Sequence, residues 1–173
     1  LEKMVGEDAA RRLWDLGEDA KSLVRQLVER HKIDCYLKDG IAWAASHTSD
    51  VDDLHAYAEH LQTRYDYEQI EALDANAFHA LCPSPDYKGG TLDIGAAHLH
   101  PLRLALGLAQ AASRAGARIH ERSHVHDIKH GAKVTVRTDA GHVTADQVNL
   151  AANGYLGGLD RQVASRVMPI NNY

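Results

Sequence analysis

From Glu2 to about His31, apolar positions recur every three or four residues. Leu13, Leu16, Ala20, Leu23, Val24, Leu27 and Val28 form one stripe and charges fill the other face, which predicts a long amphipathic helix. Gly17 weakens such a helix by about 1 kcal/mol relative to Ala without breaking it. Ile33–Leu37 and Ile41–Ala45 read as two strands, and Lys38-Asp39-Gly40 between them carries the Asp-Gly signal of a hairpin. Ser49 or Asp50 is placed to cap a second helix running to about Tyr65, with Val51, Leu54, Tyr57, Ala58 and Leu61 inward. Ile70–Leu73 is a weak strand. Asp74 caps a short helix through Leu81, which Pro83 and Pro85 terminate.

The pattern then changes. Thr91–Ile94 is extended after Gly89-Gly90, residues 95–100 turn, and Pro101 stands at the first position of a third long helix. Leu102, Ala105, Leu106, Ala109 and Ala112 recur at helical spacing on one face of that helix, and Ala115-Gly116-Ala117 stops it. An extended segment from Arg118 to Ile128 comes next, then a hairpin of Lys133–Arg137 with Gly141–Thr144. Val148–Ala152 is apolar enough for a central strand and ends in Asn153-Gly154. Tyr155–Leu159 reads as a helical turn, and Arg166–Ile170 as the start of another extended run. Helix–strand alternation in this half predicts a partly parallel sheet, and the first half predicts a second lobe. The fold class is α/β, with mixed α+β character.

Composition narrows the function without choosing it. The 173 residues are 45% hydrophobic and 25% charged with a net charge of -5, as in ordinary globular proteins. No basic block marks a nucleic-acid surface, and no apolar run is long enough to span a membrane. Two cysteines, Cys35 and Cys82, make no disulfide framework. A start at Leu1 with no charged-then-apolar leader suits a cytoplasmic protein with sequence missing upstream.

Several stretches taken together carry a resemblance. "CPSPDYKGGTLDIGA", "HLHPLRLALGLAQAASRAGARIHERSHVHDI" and "VTADQVNLAANGYLGGL" resemble the middle of the FAD-dependent amine and amino-acid oxidases. These are the D-amino-acid oxidase, sarcosine oxidase and glycine oxidase family, and the likeness is strongest to the gamma-glutamylputrescine oxidases. The resemblance implies part of a Rossmann-like FAD-binding domain intertwined with a substrate-domain lobe. Residues 1–100 would be the helical, substrate-domain-like part, and 101–173 part of the FAD-binding domain. It also implies oxidation of a C–N bond in a small amine or amino acid, with FAD as hydride acceptor. The family's opening Gly-x-Gly-x-x-Gly turn, which holds the FAD pyrophosphate at a helix N-terminus, has no counterpart here. Nor does its flavin-covering C-terminal segment. The chain is therefore expected to be an interior piece, inactive and colourless by itself.

Carried onto this sequence, the resemblance assigns cofactor contacts. Val125 would offer backbone N–H and C=O to the adenine edge, and Ala151, Ala152, Asn153 and Gly154 would pass close to the pyrophosphate. Backbone groups bind a flat ring edge or a phosphate only where side chains leave room. The same residues also read as a core valine and an ordinary turn.

The rival chemistry is metal. His98 and His100 are two apart, as are His124 and His126, and on strands each pair would share a face. Such pairs suit a metal-dependent hydrolase, given a third ligand and a carboxylate partner; Asp93 and Asp127 are near in sequence only. No metal ligand is assigned. No nucleophile elbow, phosphate loop or His-Glu-x-x-His is present. His98, His100 and Tyr87 are candidates to face a substrate, but no catalytic residue is named. A non-catalytic structural or interaction module is the remaining alternative. Oligomeric state is left open.

Overall fold

The computed structural model describes residues 1–168. The chain divides into two compact units, Leu1–Ala117 and the residues from Arg118 onward.

The first unit is a three-stranded antiparallel sheet with helices. Its elements are α1 (Glu2–Val5), α2 (Glu7–His31), β1 (Lys38–Ala45), α3 (Thr48–Tyr65), β2 (Ile70–Asp74), α4 (Ala75–Leu81), β3 (Gly89–His98) and α5 (Pro101–Arg114). β3 is central, with β1 and β2 on either side. The core is built on Ala58, Leu61, Tyr67 and Ile70, with Trp14 and Tyr65 packed against it. Trp14 lies 4.7 Å from the Tyr65 ring and 5.3 Å from the Tyr67 ring, which fixes α2 over α3 through aromatic contact.

Local chemistry explains most boundaries. Asp74 caps α4, its carboxylate accepting the Ala77 N–H at 2.8 Å. Pro101 is the first residue of α5, and the His100 ring accepts the Arg103 N–H at 3.4 Å. α3 begins after His47 with no side-chain cap, so neither Ser49 nor Asp50 plays that part. Its last turn ends at Asp66, in the left-handed region at φ 53°.

Ile33–Leu37 is not a strand. Lys32 and Tyr36 have φ of 52° and 53°, which an extended chain cannot accommodate. The loop is tied down instead: Ile33 and Cys35 are buried, and Arg103 pairs with Asp34 at 2.7 Å while stacking 4.2 Å over Tyr36. The expected hairpin turn, Lys38-Asp39-Gly40, is the beginning of β1, which pairs with β3.

Amphipathic stripes fare differently from boundaries. In α2 only Ala10 is buried, and Leu16 and Leu23 are 64% and 53% exposed. In α5, Leu102 and Leu106 are 61% and 60% exposed. Gly107 is the close contact of α5, because a Cβ there would run into the side chain of Ile33. The stripes exist, yet the described residues leave them largely uncovered.

The second unit is smaller. β4 (Val125–Lys129), β5 (Val134–Thr138) and β6 (Gly141–Ala145) form an antiparallel meander. Thr138–Gly141 makes the expected hairpin connection between β5 and β6. The segment expected to be extended from Arg118 narrows to β4; Arg122 ahead of it has φ 53°. Val148–Ala152 is not a strand, and Asn149 and Ala151 are exposed. Both sheets are antiparallel, so no parallel ladder forms among the described residues. Asn153–Tyr155 is a 3-10 turn and α6 (Arg161–Ala164) a single helical turn capped by Asp160. The extended run expected at Arg166–Ile170 falls partly outside the described residues; Arg166 is in a turn.

Candidate functional site

The second unit encloses a cavity of about 760 Å³, within the size range of small-molecule sites. Val125, Ala151 and Ala152 lie in its wall with Val148, Leu150 and the 155–159 segment. Asn153 and Gly154 do not line it; they form the 3-10 turn at its edge, where the Tyr155 N–H donates to the Ala152 carbonyl at 2.9 Å. Three of the five residues assigned from the resemblance thus line one cavity.

Backbone geometry gives this wall its chemistry. β4 is an edge strand among the described residues, so part of its N–H and C=O row has no ladder partner. A bulge between Val125 and Asp127 interrupts its register with β5 and leaves His126 as the extra residue, re-aiming the backbone beside the cavity. Elsewhere along the cavity Ala152 is right-handed helical and Asn153, next to it, left-handed, at φ 48°. Leu156 and Gly157 repeat the sequence, with Gly157 at φ 60°. A right-then-left pair turns successive N–H groups to one side, making a concavity for anionic oxygen. Gly157 and Gly158 also line the cavity, and a Cβ at either would meet nothing within 4 Å. This Gly-Gly pair was missed at the sequence level, although it follows the small-residue run directly.

The histidine pairs do not assemble a metal site. His98 ends β3 and its Nδ1 lies 3.3 Å from the Gly40 carbonyl, while His100 is the cap of α5. His124 precedes β4, and the His126 ring is 3.8 Å from Asp139. Each pair straddles a strand end, so the shared face expected of a continuous strand is lost. Asp127 pairs with Arg137 at 3.8 Å. Among the described residues no group of three or more His, Cys, Asp or Glu is arranged to hold a metal ion. Tyr87 packs edge-on against Phe78 at 5.7 Å.

The first unit has its own cleft of about 530 Å³, lined by Trp14, Trp43, Tyr57 and Tyr67 together with Thr91 and Asp93. Burial and the hydrogen bond to Asp93 hold the Tyr67 phenol well above its ordinary pKa. Tyr67 is therefore a hydrogen-bond donor throughout the physiological range.

Comparison with known proteins gives this geometry a setting. The profile of a family described as FAD dependent oxidoreductase matches residues 3–173. A gamma-glutamylputrescine oxidoreductase of Escherichia coli is 37% identical over 170 residues, covering 98% of this chain and 40% of that protein. A probable oxidoreductase OrdL of Rhizobium meliloti is 35% identical over 173 residues, covering 99% and 40%. Glycine oxidase from Geobacillus kaustophilus superposes with a TM-score of 0.68 at 26% identity, over 83% of this chain and 40% of its own. Glycine oxidase from Bacillus cereus reaches 0.73 at 22% identity, over 85% and 42%, a likeness of fold. The chain spans about 40% of the length of the curated relatives it matches.

Proposed function

We infer the function from one premise: this chain belongs to the family of FAD-dependent oxidoreductases. The parent protein oxidises the C–N bond of a small amine or amino acid, and the imine formed hydrolyses. When bound, FAD accepts the hydride equivalent, so the protein's task is binding, alignment and exclusion of water. A polyamine derivative is the favoured substrate, supported by the 37% identity to gamma-glutamylputrescine oxidoreductase.

The observation that carries the cofactor assignment is the composition of the cavity wall. Val125 stands on an edge strand that lines the cavity, which supports ring-edge recognition by that strand, and the turns at Ala152-Asn153 and Leu156-Gly157 suit phosphate oxygens. Ala151, Gly157 and Gly158 keep the approach clear of bulk, and Asn153 and Gly154 shape the turn. We assign residues 101–173 to the FAD-binding domain and 1–100 to the substrate side, supported by the position of this cavity within 118–168. α5 nonetheless clusters with the first unit. No helix of the described residues is long and apolar enough to cross a membrane. Two free cysteines support a cytoplasmic setting, and neither nucleic acid nor membrane enters this reading.

The test is the visible absorbance of the purified parent. A flavin spectrum that bleaches on addition of a polyamine derivative under anaerobic conditions is the expected result. A colourless parent that stays so after incubation with FAD would overturn the reading.

A further inference from the structure

The chain has two tryptophans, and both line the cleft of the first unit. Trp14 comes from α2 and Trp43 from β1, and Tyr57 and Tyr67 join them, so four aromatic rings line one space of about 530 Å³. Trp43 and Tyr57 are 64% and 54% exposed, open to a ligand from solvent. Aromatic rings carry negative charge on their faces, and several around one space recognise an organic cation.

The charges agree. Glu18 and Asp93 line the cleft against a single cation, Lys21, while Arg25, the next turn along α2, is paired with Asp39. The side-chain hydrogen bonds of Asp93 all go to Oδ1, from the Tyr67 hydroxyl and the N–H groups of Gly95 and Ala96. Oδ2 is left as an acceptor. Thr91 also lines the cleft, although it is 1% exposed. Its hydroxyl has no hydrogen-bond partner among the described residues, where no fully buried side-chain oxygen lacks one. The hydroxyl is therefore the part of Thr91 that reaches the cleft.

Lys21 shows the recognition already made once. Its ammonium lies 4.8 Å from the centre of the Tyr67 ring and 2.8 Å from Glu18, and it donates to the Tyr67 hydroxyl at 3.3 Å. Trp43, Tyr57, Asp93 and Thr91 offer the same kinds of group a second time, and among the described residues no cation stacks on either ring. Ile41, Leu54 and Leu61 add apolar lining for a hydrocarbon chain.

We propose that this cleft binds a primary alkylammonium ion, its head group at Asp93 and Thr91 against the Trp43 and Tyr57 rings. The lining belongs wholly to the first unit, and the proposal stands whether or not the parent oxidises amines.

Tryptophan emission of the 173-residue chain reads the site, since both tryptophans belong to it. Hexylamine at neutral pH, where it is an ammonium ion, is titrated alongside hexanol and hexanoate, which share the chain and lack the cation. The expected result is a saturable change with hexylamine at a Kd below about 1 mM, about tenfold or more tighter than with hexanol, and none with hexanoate. No saturable response to the amine would overturn the proposal. Equal affinity for hexanol would make the cleft a merely apolar crevice and overturn it too. Asp93→Asn, which keeps an oxygen for Tyr67, and Tyr57→Leu each weaken the amine about fivefold or more. Tyr57 is exposed, so its variant keeps the melting curve of the parent chain even where Asp93→Asn does not. Unchanged amine affinity in Tyr57→Leu places the amine elsewhere and overturns the site. Equilibrium dialysis of hexylamine with the full-length parent shows the same dependence on Tyr57, and its absence there overturns the site in the parent.

Discussion

The hydroxyl of Tyr67 donates to Oδ1 of Asp93 at 2.5 Å, and the same oxygen accepts the N–H groups of Gly95 at 2.9 Å and Ala96 at 3.0 Å. One carboxylate oxygen thereby closes the irregular stretch of β3, where the register against β1 shifts between Asp39 and Ile41. Removing the phenol hydroxyl takes one hydrogen bond from a charged acceptor, worth about 1.5–3 kcal/mol. Tyr67→Phe lowers unfolding stability by that amount in a denaturant titration, with an unchanged circular dichroism spectrum.

The same pair sets a pH dependence. The folded-state pKa of Tyr67 is raised above its ordinary value of 10.0, so the folded protein holds that proton more tightly than the unfolded chain. The contribution is fully present below the unfolded pKa and is lost as pH rises past it. Stability falls at alkaline pH, and Tyr67→Phe flattens that limb. An identical slope in the variant would show that another group is responsible.

Two glycines respond oppositely to the same substitution. A Cβ on Gly90 would collide with the Trp43 carbonyl and press on the Phe78 ring, and neither backbone nor buried ring gives way cheaply. Gly90→Ala therefore destabilises by about 3 kcal/mol or prevents folding. Gly17→Ala adds a methyl in open space within α2 and stabilises the 173-residue chain by roughly 0.5–1 kcal/mol. Thermal melts of the two variants check both signs.

In the parent, Gly158→Val is the clean probe of the cavity. Its backbone does not need positive φ and nothing lies near its Cβ, so folding is unaffected while the wall gains bulk. Flavin per protein falls at least tenfold and the melting curve of the apoprotein is unchanged. Gly154→Val lowers flavin content less, because Gly154 sits beside the cavity rather than in its wall. Asn153→Ala keeps the backbone open and retains flavin, at about 1 kcal/mol of stability for placing Ala at φ 48°.

The 173-residue chain alone shows no saturable FAD binding in the micromolar range, corresponding to about -8 kcal/mol, in a fluorescence titration. Elemental analysis of the same preparation finds no stoichiometric zinc.

Where a single residue's chemistry fixes structure, the sequence was readable. Asp74 capping α4, Pro101 opening α5 and the Thr138–Gly141 turn all act within a few residues, so local reasoning reaches them. The α5 stripe was readable too, but not what lies against it. Periodicity identifies a stripe such as Leu102 and Leu106, but not the surface that covers it. Val148–Ala152 failed similarly: apolar composition suggested a buried strand, yet a strand exists only where a neighbour supplies a ladder. At Ile33–Leu37, β-like residues were overridden by left-handed turns at Lys32 and Tyr36 and by the Arg103 clamp. In the candidate site, the family resemblance supplied Val125 and Ala151-Ala152, which lie along one cavity. The bulge at His126 and the Gly157-Gly158 wall emerge only from register and φ.

Among the described residues one edge of β4 has no partner strand. Backbone groups on an open strand edge are free for an incoming strand. A ligand seated on such an edge would cap the sheet, whereas a bare edge is a template for self-association. The His126 bulge twists the edge away from flat pairing, and the exposed Lys129 adds charge at its end. Together they oppose edge-to-edge pairing of β4 with another chain.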